Sequence, residues 1–190
     1  MAQAKRKKRF FDVEIPIIKN EMKLFAYEIG ELEGRFASYD LTRMLKGKGT
    51  LLTLKVSVQD GKATAKPVSI RIMPYFLKRI VRKGTNYVED SFSAETKDSI
   101  IKIKPFLVTR RKVPREVRKA LRIKAKEEII NYVKDKNIDK VIEDITLNKM
   151  QKEISLKLKK VYPLSACEIR VLKIEKALGK KNEKKDKKSA

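Results

Sequence analysis

The 190-residue chain has no histidine, no tryptophan and one cysteine. Without histidine there is no Ser-His-Asp or Cys-His triad, no imidazole metal ligand and none of the commonest general base near neutral pH. The lone Cys167 can form neither an intrachain disulfide nor a thiolate zinc site. Set between apolar neighbours in an alternating run, it reads as a small core hydrophobe in a reducing compartment rather than a reactive thiol. No stretch approaches 18 consecutive apolar residues, and the basic residues 5–9 lead at once into the mixed Phe10-Phe11-Asp12-Val13 rather than an apolar signal core. These absences lead to the expectation of a soluble, intracellular protein with no membrane partner, small-molecule substrate, cofactor or metal. Negative charge is also scarce: 48 Lys and Arg face 24 Asp and Glu, a net charge of +24.

Such self-repulsion is offset when the protein lies against phosphates and releases their counterions, so nucleic acid is the first partner to consider. The charge is unevenly placed. Lys5, Arg6, Lys7, Lys8 and Arg9 give +5 with no acid, and residues 180–190 give +4 with almost no apolar residue. Both ends read as disordered basic tails, 1–9 and 180–190, around one folded nucleic-acid-binding body, 10–179. The first run also passes for a nuclear localisation signal. Within the body the densest segment is 110–126, where Arg110, Arg111, Lys112, Arg115, Arg118, Lys119, Arg122, Lys124 and Lys126 face only Glu116. Helices exposed to water usually alternate sign so that charges four apart pair; here like charges repel and an external anion would relieve them.

Residues 11–18 alternate up to Pro16 as a first strand, and Asp40 is placed to cap one helical turn over 39–46. Residues 49–58 and 63–73 form a hairpin about Asp60-Gly61, and Pro74 opens a helix that Gly84 stops after Lys83. A second hairpin joins 86–96 to 99–109 across Lys97-Asp98, with a bulge or an edge expected at Pro105. Val117, Leu121, Ala125, Ile129 and Val133 recur at helical spacing over 114–136. One or two shorter helices follow within 139–161, and 167–174 alternates as a last strand. The fold class is α+β: a small antiparallel β core built from hairpins, which could close as a barrel, packed with two or three helices and carrying disordered basic tails.

Motifs for phosphate chemistry fail. Around Lys46-Gly47-Lys48-Gly49-Thr50 no glycine stands where a Walker loop requires it, and Leu52 breaks the dinucleotide fingerprint. What remains is a glycine turn whose backbone could meet a phosphate between Lys46 and Lys48, or an ordinary loop into a strand. The carboxylate pairs Glu89-Asp90, Glu127-Glu128 and Glu143-Asp144 read as structural. The thirteen Phe and Tyr residues are scattered without an RNP string, so most read as core, which favours recognition of folded backbone over reading of bases; Phe10-Phe11 beside the basic run is the exception.

Five segments carry a resemblance: Lys7-Lys8-Arg9-Phe10-Phe11-Asp12-Val13 ending in Pro16; Val81-Arg82-Lys83-Gly84-Thr85; Thr96-Lys97-Asp98; Thr109-Arg110-Arg111; and Val161-Tyr162-Pro163-Leu164 with Glu168-Ile169-Arg170. In this order and spacing, over about residues 5–175, the chain resembles the archaeal and eukaryotic small-subunit ribosomal protein family S-one-e, also called S-three-a-e. It departs at Arg71-Ile72-Met73-Pro74-Tyr75, where the family carries Glu-Leu-Thr-Arg-Asp, and its length looks archaeal. The resemblance implies a non-enzymatic structural constituent of the cytoplasmic ribosome. It implies binding to small-subunit rRNA on the platform near the mRNA exit and the rRNA 3′ end, beside neighbouring platform proteins and within reach of mRNA. The RNA-binding residues expected are Lys5, Arg6, Lys7, Lys8, Arg9, Lys46, Lys48, Arg82, Lys83, Arg110, Arg111, Lys112, Arg115, Arg118, Lys119 and Arg122. The competing reading is an architectural, chromatin-type DNA-binding protein; no helix-turn-helix, heptad or zinc-ligand pattern supports it.

Overall fold

In the computed structural model residues 7–177 are described, and their contacts divide the chain into two compact units that meet in sequence at Met73 and Pro74. Lys5, Arg6 and the C-terminal tail lie outside the described residues.

The first unit is a five-stranded sheet. Strands β1 (Arg9–Ile15) and β2 (Asn20–Ala26) pair antiparallel from Arg9 opposite Ala26 to Ile15 opposite Asn20. Pro16 has no N–H to continue the ladder. The Ile15 carbonyl instead accepts from the amides of Ile18 and Lys19 at 3.2 and 3.0 Å, and Lys19 turns the chain with φ of 55°. A 3₁₀ turn (Ile29–Leu32) leads to β3 (Phe36–Asp40), which pairs with β4 (Thr50–Gln59), which in turn pairs with β5 (Lys62–Ile72). At the β4–β5 turn Asp60 and Gly61 both have positive φ, 50° and 74°, the pairing whose twist matches the two strands. Pro67, which cannot donate to β4, lies at the register shift between Thr53 and Leu54.

Parallel pairing of Val13 with Ala63 and Glu14 with Thr64 then sets the order β2-β1-β5-β4-β3. Side chains link the two edges: Arg35 Nη1, just before β3, donates to the Phe25 carbonyl and Asn20 Nδ2 to the Tyr39 hydroxyl, each at 3.0 Å. Among the described residues no ladder joins β2 to β3, so this sheet is open. Val13, Ile15, Leu32, Leu41, Leu52, Leu54 and Val56 are fully buried, each side chain worth about 2 kcal/mol of transfer free energy.

In the second unit α1 (Pro74–Ile80) ends three residues before the expected Lys83. The Arg82 carbonyl is taken by the Thr85 amide and hydroxyl, at 3.2 and 2.7 Å, and Gly84 adopts φ of 84°, so residues 82–85 form a turn instead. The single strand expected over 86–96 is two, β6 (Tyr87–Glu89) and β7 (Phe92–Glu95), both antiparallel to β8 (Ser99–Thr109). Their register is continuous, Glu89 opposite Phe106 and Phe92 opposite Ile103; the ladder is interrupted where Asp90 Oδ1 accepts from the Ser91 amide at 2.9 Å. On its other side β8 pairs with β9 (Leu164–Ala177), and one of the register shifts falls at Pro105 as expected. Helices α2 (Arg115–Lys134), α3 (Ile138–Thr146) and α4 (Lys149–Leu158) complete the unit, with Leu121, Ala125, Ile129 and Val133 of α2 buried.

Three expectations need correction. Residue 9 is not tail but the first residue of β1, because its ladder with Ala26 is formed. Cys167 is half-buried in β9 rather than sealed in the core. Of all the aromatics only Phe92 and Phe106 are buried, while Phe10, Phe25, Tyr27, Phe36, Tyr75 and Tyr87 are exposed. The strand alternation that buries Val13 and Ile15 necessarily turns Phe10 outwards.

Candidate nucleic-acid interface

The basic segment before α2 is held in place by one polar clamp. The Asn86 amide donates to Thr109 Oγ1 at 3.0 Å, the Thr109 amide returns a bond to the Asn86 carbonyl at 2.9 Å, and the Thr109 hydroxyl donates to the Arg111 carbonyl at 2.7 Å. Asn86 Oδ1 accepts from the Val113 amide at 2.9 Å. Residues 110–113 are therefore tied to the start of β6, and the exposed turn bearing Arg82 and Lys83 leaves the same end of the β6–β8 pair as Arg110, Arg111 and Lys112. Neither Asn86 nor Thr109 is basic, and sequence reasoning missed them; the Thr109-Arg110-Arg111 string marked the passage but not the clamp.

Helix α2 begins after Pro114, whose carbonyl accepts the Arg118 amide at 3.3 Å, with no side-chain cap. The first-turn N–H groups and the positive end of the helix dipole thus point at the basic linker and add to its attraction for anions. Arg115, Arg118, Lys119 and Arg122 line a groove of about 510 Å³ together with Tyr87, Val88, Glu89 and Glu116. The Tyr87 ring stacks on Phe106 with centroids 5.7 Å apart, and Glu89 accepts from Arg170 Nη1 at 2.9 Å. Among the described residues Arg110, Arg111, Lys112, Arg115, Arg118, Lys119 and Arg122 make no ion pair. Arg118 Nε is buried with no hydrogen-bond partner. An unsatisfied buried N–H costs about 1–3 kcal/mol.

One turn further along, α2 changes character. Lys124 pairs with Glu127 and Glu128 at 3.6 and 3.3 Å, and Glu128 is also bridged by Lys157 at 3.2 Å. The bond from Lys157, opposed by burial and helped by the bond from Lys124, lowers the Glu128 carboxyl pKa, and Lys157 is raised by Glu153 and Glu128 in turn. The second half of the helix carries ion pairs; among the described residues the first half carries none.

The remaining expected residues are dispersed. Lys7, Lys8 and Arg9 are exposed at the start of β1. Lys46 is exposed with φ of 52°, but Lys48 is only 9% exposed and engaged within the protein. The backbone between them is not open for phosphate, since the Gly47 and Lys48 amides donate to the carbonyls of Thr42 and Leu45 at 2.9 and 3.1 Å. Asp40 does cap this turn, accepting from the Thr42 amide and hydroxyl, and those bonds lower its carboxyl pKa. Among the described residues no cluster of three His, Cys, Asp or Glu side chains is disposed to hold a metal, and no helix is long and apolar enough to cross a membrane.

Comparison with known proteins matches the chain to the model of the ribosomal S3Ae family over residues 2–177. It is 28% identical over 114 residues to the small ribosomal subunit protein eS1 of Methanothermobacter thermautotrophicus, covering 60% of this chain and 58% of that protein. Proteins of the same name from Saccharolobus islandicus and Saccharolobus solfataricus are 25% identical over 187 residues, 93% of this chain and 90% of theirs.

Proposed function

The chain belongs to the ribosomal S3Ae family and is thereby a structural protein of the small ribosomal subunit, and we propose that it binds small-subunit rRNA chiefly through residues 110–122. The observation that carries this reading is the groove under α2, where four cations converge that, among the described residues, have no ion-pair partners, and where Arg118 Nε lacks an acceptor. A phosphate oxygen there completes the Arg118 hydrogen bonding, and Arg115, Lys119 and Arg122 neutralise adjacent phosphates with release of counterions. Arg110, Arg111 and Lys112, pinned by Asn86 and Thr109, and Arg82 and Lys83 at the same strand end extend the path. Backbone contacts of this kind recognise the shape of an A-form junction and need no base reading or catalysis.

In this reading the protein sits on the platform of the subunit, near the rRNA 3′ end and the mRNA exit, contacts neighbouring platform proteins and mRNA, and works in the cytoplasm. Its N-terminal run, of which Lys5 and Arg6 lie outside the described residues, adds a second basic contact. Sedimentation of the tagged chain in a high-magnesium sucrose gradient tests it. Comigration with small subunits is the expected result; recovery in a chromatin pellet would instead favour the architectural DNA-binding reading.

A further inference from the structure

The exposed rings of the first unit are not scattered. Phe10 of β1 and Phe25 of β2 are direct cross-strand partners on the outward face, 69% and 46% exposed, with ring centroids 4.9 Å apart and planes tilted by 41°. Lys8 Nζ lies 5.8 Å from the Phe25 ring centroid and 5.1 Å from that of Tyr27, itself exposed. Arg35, exposed, is fastened to the Phe25 carbonyl at 3.0 Å. Three rings and two cations thus form one patch. Glu31 accepts the Tyr27 amide at 3.0 Å, and Asp12 stands opposite Lys23 one outward position along the hairpin.

Leaving two phenylalanines in water forfeits their burial, and ringing them with cations makes a poor seat for a basic or purely aliphatic partner. The combination of π-faces with flanking positive charge suits one ligand chemistry, a planar base attached to a phosphate. We propose that Phe10, Phe25 and Tyr27 form a stacking platform for unpaired nucleobases of single-stranded RNA, with Lys8 and Arg35 on the adjoining phosphates. This rests on the reading of the chain as an RNA-binding protein, but uses none of the α2 groups and differs in kind from them: α2 meets backbone, the platform meets bases.

The test measures binding of the full chain to a fluorescent oligouridylate and to an abasic strand of equal length and charge, across a salt series. The wild-type chain should prefer the base-bearing strand by about tenfold or more. Phe10→Leu with Phe25→Leu keeps apolar cover on the hairpin but removes the π-faces; this variant should lose the preference with its salt slope unchanged. Arg115→Glu with Arg118→Glu and Arg122→Glu should keep the preference. No preference in the wild-type chain, or one that survives the double Leu variant, would overturn the proposal. Loss of preference only in the α2 variant would overturn it as well, placing the bases at the helix. The assay contains no ribosome, so failure to join subunits and failure to stack bases are separate results.

Discussion

Lys136 Nζ and Asp144 Oδ2 lie 2.7 Å apart, and the same oxygen accepts the Tyr132 hydroxyl at 2.8 Å. Asp144 is only 5% exposed, and Lys136 also lies 3.5 Å from the Tyr132 ring centroid, so the end of α2 is fastened to α3 by a buried charge. Burial alone would raise the Asp144 pKa, but the bonds from Lys136 and Tyr132 outweigh it and hold the carboxyl below its ordinary value. Lys136 is raised in spite of burial, by Asp144 and Tyr132.

Replacing Asp144 by Asn should therefore destabilise the protein by about 2 kcal/mol at neutral pH. For a depressed carboxyl the stabilisation is complete above the unfolded value of about 4 and disappears as pH falls through the lower folded value. For the raised lysine it is complete below about 10.4 and lost only above that. Urea unfolding of both proteins at neutral pH and in acid checks this: the gap in stability should be wide at neutral pH and shrink in acid. Equal midpoints at neutral pH would contradict the assignment.

Thr109→Val removes the hydroxyl that accepts from the Asn86 amide and donates to the Arg111 carbonyl. The expected cost is about 1–2 kcal/mol. Amide exchange at Asn86 should accelerate beyond what global destabilisation explains, because the linker is locally released. Unchanged exchange there would mean that the clamp does not hold the linker.

Arg118→Lys separates charge from geometry. It retains the cation but loses the Nε–H that lacks a partner, so affinity for rRNA fragments should fall about tenfold while the salt dependence stays the same. Filter binding over a salt series distinguishes this from a plain electrostatic role, in which the substitution would be silent.

Much of the architecture is legible in the sequence. The β4–β5 hairpin was marked by Asp60-Gly61, the bulge in β8 by Pro105, and α2 by the four-residue recurrence of Leu121, Ala125, Ile129 and Val133. Strand β2 was not, because outward Phe25 beside inward Leu24 blurs the alternation, and β3 is only five residues long. The break between β6 and β7 depends on one local Asp90–Ser91 bond, which composition does not reveal. The basic run of the candidate interface was evident from charge alone. Its clamp was not, since Asn86 and Thr109 are 23 residues apart and meet only through strand pairing. The aromatic patch was hidden for a similar reason: Phe10 and Phe25 become neighbours only once the β1–β2 register is known.

The most direct test of the central claim is incorporation of the Arg115→Glu, Arg118→Glu, Arg122→Glu variant into small subunits, with circular dichroism recorded on the same protein. All three side chains line the groove on the half of α2 that lacks internal ion pairs, so reversal should leave the helix folded and even relieve repulsion within it. If residues 110–122 hold rRNA phosphates, each lost contact lowers the salt slope by about one unit and the folded variant drops out of sedimenting subunits. A folded triple variant that assembles at wild-type occupancy would contradict the account.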